Sequence, residues 1–132
     1  RFRALRTQID YGLFLVAQHA AIAALNGPQE GVARQRAEYQ RRRDALCHSF
    51  TAAGWEVPDA KGTMFVWAKV PEGYASSAEF ALDLLEKTGV IVVPGSAFGR
   101  HGEGYVRMAL VVPPERMQEA VRRIAESGIL NR

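Results

Sequence analysis

One arginine stands where apolar sequence surrounds it. Arg107 lies between Val106 and Met108 inside the run 105–112 (YVRMALVV). The two-residue period of a strand sets Tyr105, Arg107 and Ala109 on one face and Val106, Met108 and Leu110 on the other. Two accounts fit. In the first, the strand lies at a sheet edge and the guanidinium snorkels to water. In the second, Arg107 is a fixed anion anchor: its planar fork matches a carboxylate with two parallel hydrogen bonds, and a strand holds it more rigidly than a loop. Spacing alone leaves both open.

The other reactive residue types form no set. Residues 95–104 are rich in glycine but lack the G-x-x-x-x-G-K-[ST] pattern, and a strand rather than a helix follows them. They read instead as a shaped loop, with glycines at left-handed or crowded positions. Ser96 sits in G-S-A-F-G, which is not the G-x-S-x-G of a hydrolase nucleophile. His19, His48 and His101 fall on two different helices and a loop, with no carboxylate or cysteine spaced as a ligand set, so no metal site is predicted. Cys47 is alone, which excludes an internal disulfide, and no neighbour in sequence activates it. No catalytic residue is assigned to the chain.

The elements that must position Arg107 follow from the composition and the punctuation. With 132 residues, 48% hydrophobic and 23% charged, the chain is globular and long enough to bury a core. The net charge is +3, from 14 arginines and Lys61, Lys69 and Lys87 against 14 acids. The densest basic run, Arg41-Arg42-Arg43, is interleaved with Glu38 and Asp44 and reads as the solvated face of a helix. It lacks the aromatic and glycine signatures of RNA binding. No apolar run reaches the roughly 18 residues of a membrane span. The first residue is Arg1, in mid-pattern, and the chain is expected to be part of something longer.

Residues 11–25 are apolar and alanine-rich, a buried helix ended by Asn26-Gly27-Pro28. A long helix is predicted over 29–53, with Val32, Tyr39, Leu46 and Phe50 as a narrow apolar stripe. Residues 63–68 (TMFVWA) form a strand. Ser76 caps a helix with Glu79 three residues on, and this helix runs to Gly89. Residues 90–93 (VIVV) read as a strand buried on both faces, and 105–112 as a third strand. After Pro113-Pro114 a last helix carries Met117, Ala120, Val121 and Ile124 on one face. The fold class is α/β: an α+β small domain with a small, mostly antiparallel sheet of about three strands, helices packed on one side, and a long connecting helix.

Several of these pieces together resemble the C-terminal small domain of the class I/II aminotransferases, pyridoxal-phosphate enzymes of fold type I. The matching runs are Gly62-Thr63-Met64-Phe65-Val66-Trp67, Ser77-Ala78-Glu79-Phe80-Ala81, residues 89–99 (GVIVVPGSAFG) and residues 102–110 (GEGYVRMAL). Upstream, Gln18 in its alanine-rich helix and Arg41-Arg42-Arg43-Asp44 fit as well. Val70-Pro71-Glu72-Gly73-Tyr74 followed by Ser77-Ala78-Glu79 is most similar to the LL-diaminopimelate and alanine aminotransferase branch.

The resemblance implies that residues 1–28 end a large pyridoxal-phosphate-binding domain and that 29–132 form the small domain with its connecting helix. It implies that Arg107 binds the α-carboxylate of an amino acid or 2-oxo acid, that Phe65 lies beside the substrate, and that Tyr11 and Gly12 border an active site. It further implies a cytoplasmic homodimer with pyridoxal 5'-phosphate as cofactor. The family's cofactor-anchoring lysine should lie upstream, because Lys61, Lys69 and Lys87 stand in other contexts. The chain alone is therefore expected to be inactive, and its apolar first helix to drive self-association. The competing reading is a stand-alone basic module that binds an anion or nucleic acid without catalysis.

Overall fold

A computed structural model describes residues 1–9 and 12–131. The chain divides into two compact units, Arg1–Gln35 and Arg36–Arg132. The elements, in order, are α1 (Phe2–Ile9), α2 (Leu15–Asn26), α3 (Glu30–Ala52), β1 (Phe65–Lys69), α4 (Ser77–Thr88), β2 (Val93–Pro94), β3 (Tyr105–Ala109) and α5 (Pro114–Glu126). Short 3-10 turns cover Gly95–Phe98, Arg100–Gly102 and Ile129–Asn131.

The first unit holds α1, which the sequence reading left unassigned, and α2. The predicted helix over 11–25 begins only at Leu15, and Tyr11 lies outside the described residues. Its predicted stop holds: α2 ends at Asn26, and the Gly27 N–H bonds to the Ala23 carbonyl at 2.8 Å. Neither helix buries a residue within the described structure. The expectation of a buried 11–25 helix is thus not met among the described residues: α2 buries none of its side chains, although its apolar residues, spread around the helix, are the kind that ordinarily need cover.

The second unit carries the sheet. Its order is β1-β3-β2, antiparallel throughout, with Trp67 paired to Arg107, Val66 to Met108 and Val93 to Arg107. Alternation then fixes the two faces. Val66, Ala68, Val106 and Met108 point inward and are buried. Phe80 and Leu84 of α4, Met117, Val121 and Ile124 of α5, and Leu46, Cys47 and Phe50 of α3 complete that core. Phe50, Trp55, Phe80 and Tyr74 form an edge-to-face series with centroids 4.8, 5.5 and 5.1 Å apart. Full burial of a ring such as Phe50 or Phe80 stabilises by about 1.5–3 kcal/mol. The Trp55 indole N–H also donates to the Lys69 carbonyl at 2.8 Å, pinning the end of β1.

Local signals explain the boundaries. Ser76 accepts from the Glu79 amide at 3.1 Å, while the Glu79 carboxylate accepts from the Ala75 amide, a capping box displaced by one residue. Gly89 ends α4 at φ +70°, and Pro114 opens α5 at its first turn.

Three expectations need correction. The run 90–93 is not a doubly buried strand: only Val93–Pro94 pair, and Ile91 is 78% exposed, because β2 is an edge strand. The third strand stops at Ala109, although the Leu110 amide still bonds to the Met64 carbonyl at 2.8 Å. Val32, placed in the α3 stripe, is 63% exposed, and Cys47 enters the core in its place.

Candidate functional site

The face of the sheet opposite the core carries Phe65, Trp67 and Lys69 from β1 and Tyr105, Arg107 and Ala109 from β3. Arg107 is in the middle strand of the three, flanked by β1 and β2. This removes the edge-strand account of it: its side chain emerges from the sheet's centre, half-buried. Its Cζ lies 4.1 Å from the centroid of the Phe65 ring and 4.2 Å from that of Phe98. Both distances are within cation–π range. The side chain of Arg107 makes no hydrogen bond or ion pair among the described residues. The faces of the guanidinium are therefore occupied while its N–H donors have no protein acceptor. That combination suits a planar anion arriving along the guanidinium edge.

Each ring is positioned by local structure. Phe65 follows Thr63, which holds φ +67°, a left-handed conformation unusual for a β-branched residue. The Thr63 hydroxyl accepts from the Phe65 amide at 2.9 Å and stabilises this entry into β1. Phe98 ends the Gly95–Phe98 turn and packs edge-on against Trp67, with centroids 5.3 Å apart. A hollow of about 410 Å³ lined by Trp67, Phe98, His101, Gly102 and Tyr105 adjoins these rings. A larger cleft of about 490 Å³ lies among Phe50, Ile91, Val112 and Met117 and contains none of the candidate residues.

The loop carrying Phe98 is tied down by backbone contact and by charge. Gly95 and Gly102 meet backbone to backbone: a Cβ on Gly95 would sit 1.9 Å from the Gly102 carbonyl oxygen. Glu103 accepts from the Ser77 amide at 2.6 Å, the Gly104 amide at 2.8 Å and the Ser77 hydroxyl at 3.2 Å. Those amides, Ser77 first, hold its carboxyl below the usual carboxylate range. Ser77 is wholly buried at the first turn of α4, and its hydroxyl also meets the Ser96 hydroxyl at 3.3 Å. The segment 95–104 is thus clamped to Ser77 of α4 near both ends, through Ser96 and Glu103.

The remaining candidates stay apart from this face. Arg41, Arg42 and Arg43 pair with Glu38 and Asp44, as a solvated helix face would. Arg42 and Arg43 also donate to the Leu110 and Ala60 carbonyls, a tethering role that sequence did not suggest. Cys47 is buried against the Pro58 carbonyl, and desolvation pushes its thiol to about 11. No group of three or more metal-ligating side chains gathers among the described residues. Gly12 adopts φ +146° in the first unit. Among the described residues no helix is long and apolar enough to cross a membrane.

A family model for aminotransferase class I and II matches residues 6–124, nearly the whole chain. The chain belongs to the class I and II aminotransferases. It is 51% identical over 120 residues to the LL-diaminopimelate aminotransferase of Moorella thermoacetica, covering 91% of this chain and 30% of that protein. It is 46% identical over 125 residues to the enzyme of that name from Halothermothrix orenii, covering 95% and 32%. Among solved structures, an aminotransferase from Staphylococcus aureus superposes with a TM-score of 0.82 at 32% identity, covering 98% of this chain and 34% of that one. A probable N-succinyldiaminopimelate aminotransferase from Thermus thermophilus superposes at 0.80 and 32% identity, covering 94% and 33%. The chain thus spans about a third of the length of the relatives it matches.

That coverage frames the cofactor question. An aminotransferase of this class implies pyridoxal phosphate, yet the lysines here do not form a site for it. Lys61 is exposed, Lys69 is exposed at the end of β1, and Lys87 pairs with Asp83 at 3.0 Å on α4. None stands among a set of groups able to anchor and polarise a pyridine ring. Among the described residues, the aminotransferase chain therefore presents an arginine held between two rings, with no lysine placed to anchor the cofactor. Sequence reasoning brought Arg107 and Phe65 forward and missed Phe98. The available signal was the pair Gly95 and Gly102 bracketing it, since crowded glycines mark close backbone approach.

Proposed function

We propose that this chain is the carboxylate-binding small-domain portion of a pyridoxal-phosphate-dependent aminotransferase, which moves an amino group between an amino acid and a 2-oxo acid. Arg107, flanked by rings and without an acidic partner among the described residues, carries the reading. Every amino acid and 2-oxo acid in such a cycle presents an α-carboxylate, and a bidentate guanidinium fixes its position and the direction of the adjoining Cα bonds. Phe65 lies beside the bound substrate and shields one guanidinium face from water. The curated relatives' names support a diaminopimelate-class substrate.

In the whole enzyme, residues 1–28 close the large domain, 29–132 form the small domain, and Tyr11 and Gly12 border an active site. The cofactor supplies the electron sink when bound, and its anchoring lysine belongs to the large domain. The enzyme is a cytoplasmic homodimer, and the 132-residue chain alone neither transaminates nor holds the cofactor covalently.

The test is Arg107→Ala and Arg107→Lys in the full-length enzyme, with kcat/KM measured for amino donor and 2-oxo acceptor. Removing a desolvated charge partner should lower kcat/KM by the equivalent of about 2–5 kcal/mol, with Lys only partly restoring it. An unchanged kcat/KM in Arg107→Ala would remove the assignment. For the isolated chain, an absorbance band with pyridoxal phosphate that disappears on borohydride treatment, together with turnover, would overturn the inactivity.

A further inference from the structure

We propose that Phe98 is a positioning residue that holds the guanidinium of Arg107 ready for a carboxylate. The proposal rests on the reading of Arg107 given above and adds a residue from a different element. Three observations carry it. Phe98 approaches Arg107 Cζ as closely as Phe65 does, 4.2 against 4.1 Å. Its ring is in turn braced by the edge-to-face contact with Trp67 at 5.3 Å. The turn that delivers it is fixed by the Gly95–Gly102 contact and by the Ser96–Ser77–Glu103 bonds.

The physical argument concerns order and water. An arginine side chain carries large rotamer entropy, and an anion that must first immobilise it binds more weakly. Among the described residues Arg107 has no acidic partner to hold it, so the two rings do so instead, through forces that leave its N–H donors free of protein acceptors there. A salt bridge would have ordered the side chain equally well but would compete with the substrate. The rings also keep water from the guanidinium faces, which strengthens the edge-on bonds to a carboxylate. Phe65 on a strand and Phe98 on a tethered turn therefore act as a pair.

The experiment uses the 132-residue chain, with the Arg107 Nε–H resonance followed by NMR and acetate as the probe. Wild type should show an ordered Nε–H without ligand and a saturable shift with acetate. Phe98→Leu keeps an apolar group but removes the aromatic face; it should mobilise the Nε–H and weaken acetate about five- to tenfold, the size of a lost cation–π contact. Phe98→Tyr should restore both within about twofold, since it keeps the ring face. Phe98 is 47% exposed, so these changes leave the core intact, and unchanged Val66 and Val106 methyl shifts check this.

If Nε–H order in the ligand-free Phe98→Leu chain matches wild type, the role of Phe98 is overturned. Equal acetate affinity in Phe98→Leu and wild type overturns it too. A wild-type chain with ordered Nε–H but no saturable response overturns instead the carboxylate reading of Arg107.

Discussion

The contact between Gly95 and Gly102 admits a stringent test, because neither partner can move aside as a flexible side chain would. A methyl group on Gly95 would lie 1.9 Å from the Gly102 carbonyl oxygen and 2.6 Å from that of Tyr105, and ordinary contact begins near 3.4 Å. The Gly95→Ala methyl group is therefore about 1.5 Å too close to one backbone oxygen and about 0.8 Å too close to another. Both acceptors are main chain, one leading into β3 and the other at its first residue. Relief requires the turn to lift off the strand, with the loss of packing typical of forced overpacking, about 2–3 kcal/mol. With a urea m-value of about 1–3 kcal/mol/M, the midpoint should fall by roughly 1–2 M.

Gly31→Ala is the matched control, since its nearest neighbour is the far end of the Arg34 side chain at 3.9 Å. There the same substitution should be neutral or stabilise by up to about 1 kcal/mol. Urea unfolding followed by circular dichroism measures both. The displaced turn should also carry Phe98 away from Trp67, seen as loss of ring-current shifts on the Trp67 side chain. A Gly95→Ala chain within about 0.5 kcal/mol of wild type and with those shifts intact would refute the reasoning, since it would mean the backbone contact imposes no constraint.

Three further outcomes follow from other contacts. Glu103 has its carboxyl held below the ordinary range by the Ser77 and Gly104 amides, so its stabilisation is full above that range and is lost as pH falls through the lowered value. Glu103→Gln should therefore abolish part of the acid limb of a stability-against-pH curve, and an unaltered limb would contradict this. The Cys47 thiol, raised to about 11 by burial, should resist disulfide reagents at pH 8 in the native chain and react on unfolding. The same shift predicts stability that declines as pH rises from about 9 through 11, and prompt native labelling at pH 8 would refute it. Ser76→Ala removes the 3.1 Å cap bond to the Glu79 amide and should cost about 1 kcal/mol by urea titration, with Ser76→Asp restoring it.

How much of this was legible in sequence differs from element to element. The α4 boundaries were readable because Ser76, Glu79 and Gly89 act through bonds to near neighbours. Met117, Val121 and Ile124 were readable because α5 is strongly one-sided and its buried face obeys the helical period. The run 90–93 misled because four apolar β-branched residues look alike whether a strand is central or at an edge, and only strand order decides. Arg107 was visible as an anomaly, but its central place in the sheet required knowing that β3 lies between β1 and β2. Phe98 was signalled only by the glycines bracketing it, since its approach to a residue nine positions later depends on Gly95 and Gly102 meeting across a turn. The family resemblance reached Arg107 and Phe65 through linked motifs, and the match over residues 6–124 bears out the family.

The two tryptophans bracket the same strand from opposite sides. Trp55 is buried beneath β1 with its indole bonded to the Lys69 carbonyl, and Trp67 stands on the open face against Phe98. The chain thereby contains a pair of optical reporters with different addresses. Trp55 emission should be blue and shielded from iodide or acrylamide, and should register only loss of the core. Trp67 emission should be red-shifted and quenchable, and should register what happens beside Arg107. Occupancy of the arginine face and global unfolding can thus be followed separately in one fluorescence titration, with no label added.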